Sequence, residues 1–227
     1  MAITIESYII LLETRLEQFR AERAKYPAYG TKQDEVLLHF IERAEQFVGA
    51  SITAKDYPLS LSVISRILCE DFFLVVWIAE SEKNALEYEA GVLSEVAKMM
   101  EVNLAAGRSV IQNKTTKTPV SAKFMDEELL PKLRSLKAPR ARIEALAKGA
   151  GLQRVYDILY RGTSLEVHGN TFGFWPSIDG HNFTADIPLS SIAAVAKCLI
   201  AVIAFPRRSV PTRELLTILG LEKLKGK

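Results

Sequence analysis

Arg161, Ser164 and His168 stand three and four residues apart in the stretch Tyr160-Arg161-Gly162-Thr163-Ser164-Leu165-Glu166-Val167-His168-Gly169-Asn170, the one place where the chain looks equipped for chemistry. On a helix, the seven residues from Arg161 to His168 cover about 700° and about 10 Å, which lines guanidinium, hydroxyl and imidazole along one face. A fork of donors beside a group that titrates near neutral pH suits a phosphodiester. Arg161 would hold the phosphate and neutralise charge growing on its nonbridging oxygens, with one further hydrogen bond from Ser164. His168 would remove a proton from a ribose 2′-hydroxyl or protonate the leaving 5′-oxygen, since an ordinary imidazole with a pKa of about 6.5 does either near neutral pH. A structural reading competes with this one. His168 ahead of Gly169 caps a helix C-terminus favourably, and Arg161 pairs with Glu70 or Glu166.

A second set of charges interrupts the apolar run Ile64 to Ala79, where Arg66, Glu70 and Asp71 appear. Charges inside a core helix have to be paired. Arg66 and Glu70 are four apart and bridge on one helix face. Glu70 is also placed to orient Arg161 or His168, with Tyr160 and Asn170 as further supporting residues; the alternative is an ion pair that only fixes helix register.

The elements that must carry these groups read as helices almost throughout. Ile5 to Ala24 repeats Ile5, Ile9, Leu12, Leu16 and Phe19 at helical spacing and ends before Tyr26-Pro27. Glu35 to Val48 turns Val36, Leu37, Phe40, Ile41, Ala44 and Phe47 inward. Asp56 is expected as N-cap ahead of Pro58, opening a helix to about Glu80. Another runs from Glu82 to Ala105 and closes near Gly107. Residues 108–123 lack periodicity and read as a mobile basic loop. Shorter helices follow at about Asp126 to Leu136 and Pro139 to Lys148, and Gln153 to Val167 carries the marked face. The aromatic loop at about 169–186 holds Asp179-Gly180 between aromatic runs, which predicts a short β-hairpin near residues 171–185. Its Phe172, Phe174, Trp175 and Phe183 either stack on bases or cover the open end of the core, and His181 approaches the site if the hairpin folds back. Helices from Pro188 to Phe205 and Pro211 to Leu221 complete an all-α, single-domain helical bundle spanning residues 1–227.

Ile187 to Phe205 has nearly the length of a membrane span, but Lys197 at its middle would cost about 3 kcal/mol in a bilayer. A central bundle helix is the better reading, with no membrane partner. Cys69 and Cys198 sit in apolar surroundings and make no metal pattern, and Met1 to Leu12 lacks an export signal, so a cytoplasmic location is expected.

A net charge of +2 conceals a division: residues 1–101 carry 17 acidic and 10 basic side chains, residues 102–227 carry 10 acidic and 19 basic. In the basic half, Lys132, Arg134, Lys137, Arg140, Arg142 and Lys148 meet only Glu144, and Arg108, Lys114, Lys117 and Lys123 meet no acid. Such patches attract polyanions, although charge runs are also ordinary solvated faces. No phosphate loop, dinucleotide fingerprint, zinc-protease helix or nucleophile elbow is present, which argues against nucleotide hydrolysis and dinucleotide redox chemistry.

Arg66, Glu70, Tyr160, Arg161, Ser164, His168 and Gly169 together resemble a family of uncharacterised, all-helical, mostly microbial proteins over about residues 10–205. That family pairs an Arg and a Glu on an early apolar helix with a Tyr-Arg-x-x-Ser-x-x-x-His-Gly stretch ending a later one. More distantly, Arg161, six residues and His168 are similar to the Arg and His of HEPN domains, although Gly162 stands where many HEPN nucleases place Asn, Asp or His. This resemblance implies a metal-independent ribonuclease of a stress, toxin or antiviral system, with Arg161 and His168 as its catalytic pair and no cofactor. It also implies RNA as substrate, a homodimer that brings two histidines together, and an antitoxin or other protein partner. The alternative class is a non-catalytic helical interaction module whose Arg/Glu/His cluster is structural.

Overall fold

A computed structural model describes residues 4–26, 30–108, 110–135, 142–161, 186–204 and 212–219. Among them the chain is all-α: α1 (Ile5–Lys25), α2 (Lys32–Thr53), α3 (Pro58–Glu80), α4 (Glu82–Ala105), α5 (Ala122–Phe124), a π turn at Met125–Leu129, α6 (Leu130–Ser135), α7 (Ile143–Gly149), α8 (Gln153–Val155), a second π turn at Tyr156–Tyr160, α9 (Asp186–Ala204) and α10 (Thr212–Ile218). No β-sheet occurs among these residues, and a single antiparallel bridge joins Gln112 to Pro119. The expected hairpin at 171–185 lies outside the described residues. The backbone gathers into two compact units, Met1–Asn84 with Arg142–Lys227, and Ala85–Ala141.

In the first unit, α9 is the most enclosed helix. Leu189, Ile192, Val195, Ala196, Cys198, Leu199 and Ile203 are all buried, while Lys197 is exposed. The apolar residues of this segment therefore face protein, as its central charge required. Its largest neighbour is α3, followed by α1, and α2 packs on both α1 and α3. Leu61, Leu68, Phe72, Phe73 and Ile78 of α3 and Leu37, Phe40 and Ile41 of α2 complete the core. Among the described residues, no helix is long and apolar enough to cross a membrane.

Polar ties fix the ends of this bundle. Thr31 caps α2 by accepting from the Asp34 amide at 3.1 Å, and Gln33 donates to the Ile78 carbonyl at 2.7 Å. Thr31 thus starts α2 three residues before the expected Glu35. Asp56 does not cap α3. Pro58 is its first helical residue, so Tyr57 takes the N-cap position without a side-chain hydrogen bond, and Asp56 meets Lys55 at 3.7 Å instead. Phe47, expected inward, is only half-buried, with the Arg43 guanidinium 5.2 Å from its ring centroid, while the next residue, Val48, is buried.

In the second unit, the basic segment after α4 closes on itself. The Asn113 amide donates to the Thr118 carbonyl at 2.8 Å and Val120 to Ile111 at 2.9 Å, while the Asn113 carboxamide accepts from the Thr115 and Thr116 amides. Lys117 takes φ +57° to complete the turn. Ser121 then caps the next helix through the Phe124 amide, so this helix starts at Ala122 rather than Asp126.

Truncating Leu199, which is fully buried, to Ala is expected to cost about 2–5 kcal/mol in urea unfolding, since it opens a cavity in the core around α9. Lys197→Gln, on the exposed edge of the same helix, is expected to change stability by less than about 0.5 kcal/mol.

Candidate functional site

The apolar pattern of α3 turns Arg66 and Glu70 away from the α9 seam and toward the π turn at 156–160, which packs on α3. There the Tyr160 hydroxyl donates to Glu70 Oε1 at 2.9 Å and accepts from Arg66 Nη2 at 3.4 Å. Arg66 Nε lies 3.4 Å from the same Glu70 oxygen, and the guanidinium sits 5.5 Å from the Tyr160 ring centroid. Three of the expected residues therefore meet in one half-buried network. Burial pushes the Tyr160 phenol above its ordinary value; Arg66 pulls it back down and Glu70 pushes it further up.

Arg161 follows directly in sequence but joins a different set. The Arg161 amide bonds to the Tyr156 carbonyl, five residues back, and this wide turn brings residue i+5 round over residue i. In a regular α-helix five residues sweep about 500°, which would leave Arg161 well round the helix from Tyr156. Here its guanidinium carbon is 5.6 Å from the Tyr156 ring centroid. Tyr156 is itself stacked on Tyr160, with centroids 4.9 Å apart and planes at 23°, and it leans on buried Phe73.

Two carboxylates also reach Arg161, Asp157 at 3.2 Å and Glu144 of α7 at 3.8 Å. The guanidinium side chain remains 58% exposed. The expectation that Glu70 orients Arg161 is corrected by this geometry. Glu70 is engaged by Tyr160 and Arg66, and the exposed end of the turn points Arg161 to the acids beside it. His168, Ser164 and Asn170 lie outside the described residues, as does Glu166.

Sequence reasoning also missed a cross-helix pair. Arg43 Nε of α2 donates to Asp71 Oδ2 at 2.7 Å, and the Asp71 side chain is only 4% exposed. The signal was present: once Arg66 and Glu70 satisfy each other, Asp71 needs a cation from another helix. Burial pushes the Asp71 carboxyl up to about 6, against the pull of Arg43, and neighbouring Glu70 adds to the rise. Tyr156, Asp157 and Glu144 were missed because the π turn that collects them has no marker in residue type. Burial likewise pushes the Cys69 and Cys198 thiols up to about 12, which leaves neither as a nucleophile near neutral pH. Among the described residues, no group of three or more His, Cys, Asp or Glu side chains is placed to hold a metal ion.

Two outcomes follow for these networks. Tyr160→Phe keeps the ring stack and removes the hydroxyl between Arg66 and Glu70, so thermal unfolding should register a loss of about 1–2 kcal/mol. For Asp71, the folded state holds a proton that the unfolded chain has released between its ordinary value of 3.8 and about 6. Its contribution to stability is thus fully present only well below pH 3.8 and is lost as pH rises through about 6. Denaturation of wild type and Asp71→Asn at pH 4 and pH 7 should therefore show their difference moving by about 2 kcal/mol in favour of the variant at the higher pH.

No curated protein and no solved structure matches the chain. A model described as a family of unknown function (DUF5677) matches residues 34–185, a span that takes in most of α2, all of α3 and the sequence from Tyr156 to His168. This is well over half of the 227 residues, and the chain belongs to that family of unknown function, DUF5677.

Proposed function

We propose that the protein is a HEPN-like, metal-independent ribonuclease in which Arg161 binds the scissile phosphate and His168 transfers the proton. The observation that carries this reading is the presentation of Arg161: a guanidinium more than half exposed, seated on a stacked tyrosine pair whose far end is tied to α3 through Glu70 and Arg66. A donor held on a fixed base gives the charge-stabilising geometry that phosphoryl chemistry needs. Ser164 supplies a further hydrogen bond, and Asn170 supports the histidine. One histidine gives one acid or base, so the active form is a homodimer whose second copy contributes the other. The basic half of the chain draws in RNA, an antitoxin or similar partner restrains the nuclease, and the two buried free thiols fit a reducing, cytoplasmic compartment.

One observation favours a second reading, a helical interaction module without catalysis. Asp157 and Glu144 both neutralise Arg161, as they would in a structural cluster. Incubation with mixed RNA in EDTA separates the two. The nuclease reading expects cleavage that leaves 2′,3′-cyclic phosphate ends and falls at least about 100-fold in His168→Ala and in Arg161→Ala. Equal activity in wild type and His168→Ala would sink it, as would intact RNA with every preparation.

A further inference from the structure

We infer that Glu144 and Asp157 occupy the phosphate seat of Arg161 in the free protein, and that Tyr156 keeps the guanidinium aimed after a substrate phosphate displaces them. The inference rests on the reading of Arg161 as the phosphate-binding residue. A carboxylate presents two oxygens to a guanidinium fork much as a phosphate does, so an acid beside an anion-binding arginine is its natural intramolecular competitor. Both acids here are poised to yield. Glu144 comes no closer than 3.8 Å and is 58% exposed, and Asp157 at 3.2 Å is 42% exposed and accepts at the same Oδ1 from the Gln153 side-chain Nε2 at 3.2 Å. Solvated ion pairs of this kind hold weakly, and a phosphate with two oxygens within short reach outcompetes them.

Tyr156 differs from the acids in that its hold on Arg161 does not depend on which anion is bound. The ring face attracts the cation, and the ring is itself fixed by Tyr160 on one side and Phe73 on another. The wide turn that places residue 161 over residue 156 therefore serves the positioning of the guanidinium. Exchange of carboxylate for phosphate leaves the arginine where it was. Tyr156 is a positioning residue, and the two acids set how strong an anion must be to enter.

The test uses a short 2′-O-methyl RNA, which cannot be cleaved through its 2′-oxygen, with binding followed by fluorescence anisotropy in EDTA at fixed low salt. The double variant Glu144→Gln, Asp157→Asn should bind about 2- to 30-fold more tightly than wild type, the range spanned by two exposed ion pairs. In an Arg161→Gln background that gain should vanish. A gain that persists there means the acids act only as general charge, and overturns the inference, as does no gain at all. Tyr156→Phe should retain the affinity, whereas Tyr156→Leu should weaken it severalfold at a temperature where its circular dichroism shows it folded; an unchanged affinity removes the positioning role. Since the ligand is uncleavable, the outcomes separate. A chain that binds as expected but never cuts RNA loses the nuclease reading and keeps this one, and a chain that cuts RNA with no carboxylate effect does the reverse.

Discussion

Burial of α3 against α9 decides where the polar groups of the first unit must go. Among the described residues the buried face of α9 carries no charged group, its one lysine being exposed, so nothing on that seam can pair with an ionised side chain. The charges of α3 are consequently found where other elements approach it. Arg66 and Glu70 meet the π turn at Tyr160, and Asp71 meets α2 at Arg43. The candidate site and the cross-helix pair are two answers to one constraint: an ionised side chain beside a core must find a partner or lose its charge.

The two answers differ in character. Asp71 is almost sealed and has one strong partner, so its protonation is sensitive to desolvation, and the pair clamps α2 to α3. The Glu70 network is more open, with Tyr160 and Arg66 sharing a single carboxylate oxygen and a phenol between two opposite charges. Its work is to fix the far end of the tyrosine stack. Arg161 gains its orientation from that stack while staying outside the network, which separates the group that is held from the groups that hold it.

The helices themselves were legible because burial writes a period of 3.6 into the residues. The limits of α1 and α4 and, apart from Phe47, the inward stripe of α2 follow from that pattern, and Lys197 with the opening Pro188 and serines assigned α9 to a protein interior rather than a bilayer. Helix starts were less legible. Thr31 and Tyr57 hold the cap positions for reasons that depend on one neighbouring residue each, an Asp34 amide in one case and Pro58 in the other. Arg66, Glu70 and Tyr160 were legible as members of one site. The partners of Arg161 were not, because a regular helix does not bring Tyr156 under it, and a pattern read at 3.6 residues per turn has no means of registering a turn that closes one residue late.

That late closure bears on how the family's chains can vary. A wide turn amounts to one residue inserted into an α-helix, so a relative shorter by one position between Val155 and Arg161 would restore the ordinary helical winding. Such a chain would keep the hydrophobic seam of α3 and carry its arginine four residues after the tyrosine, about 40° round a regular helix and so still on the face of the aromatic ring. A single-residue gap at this point therefore preserves the geometry at the arginine, whereas a chain of unchanged length that wound as a regular helix would swing it roughly 100° away from the ring.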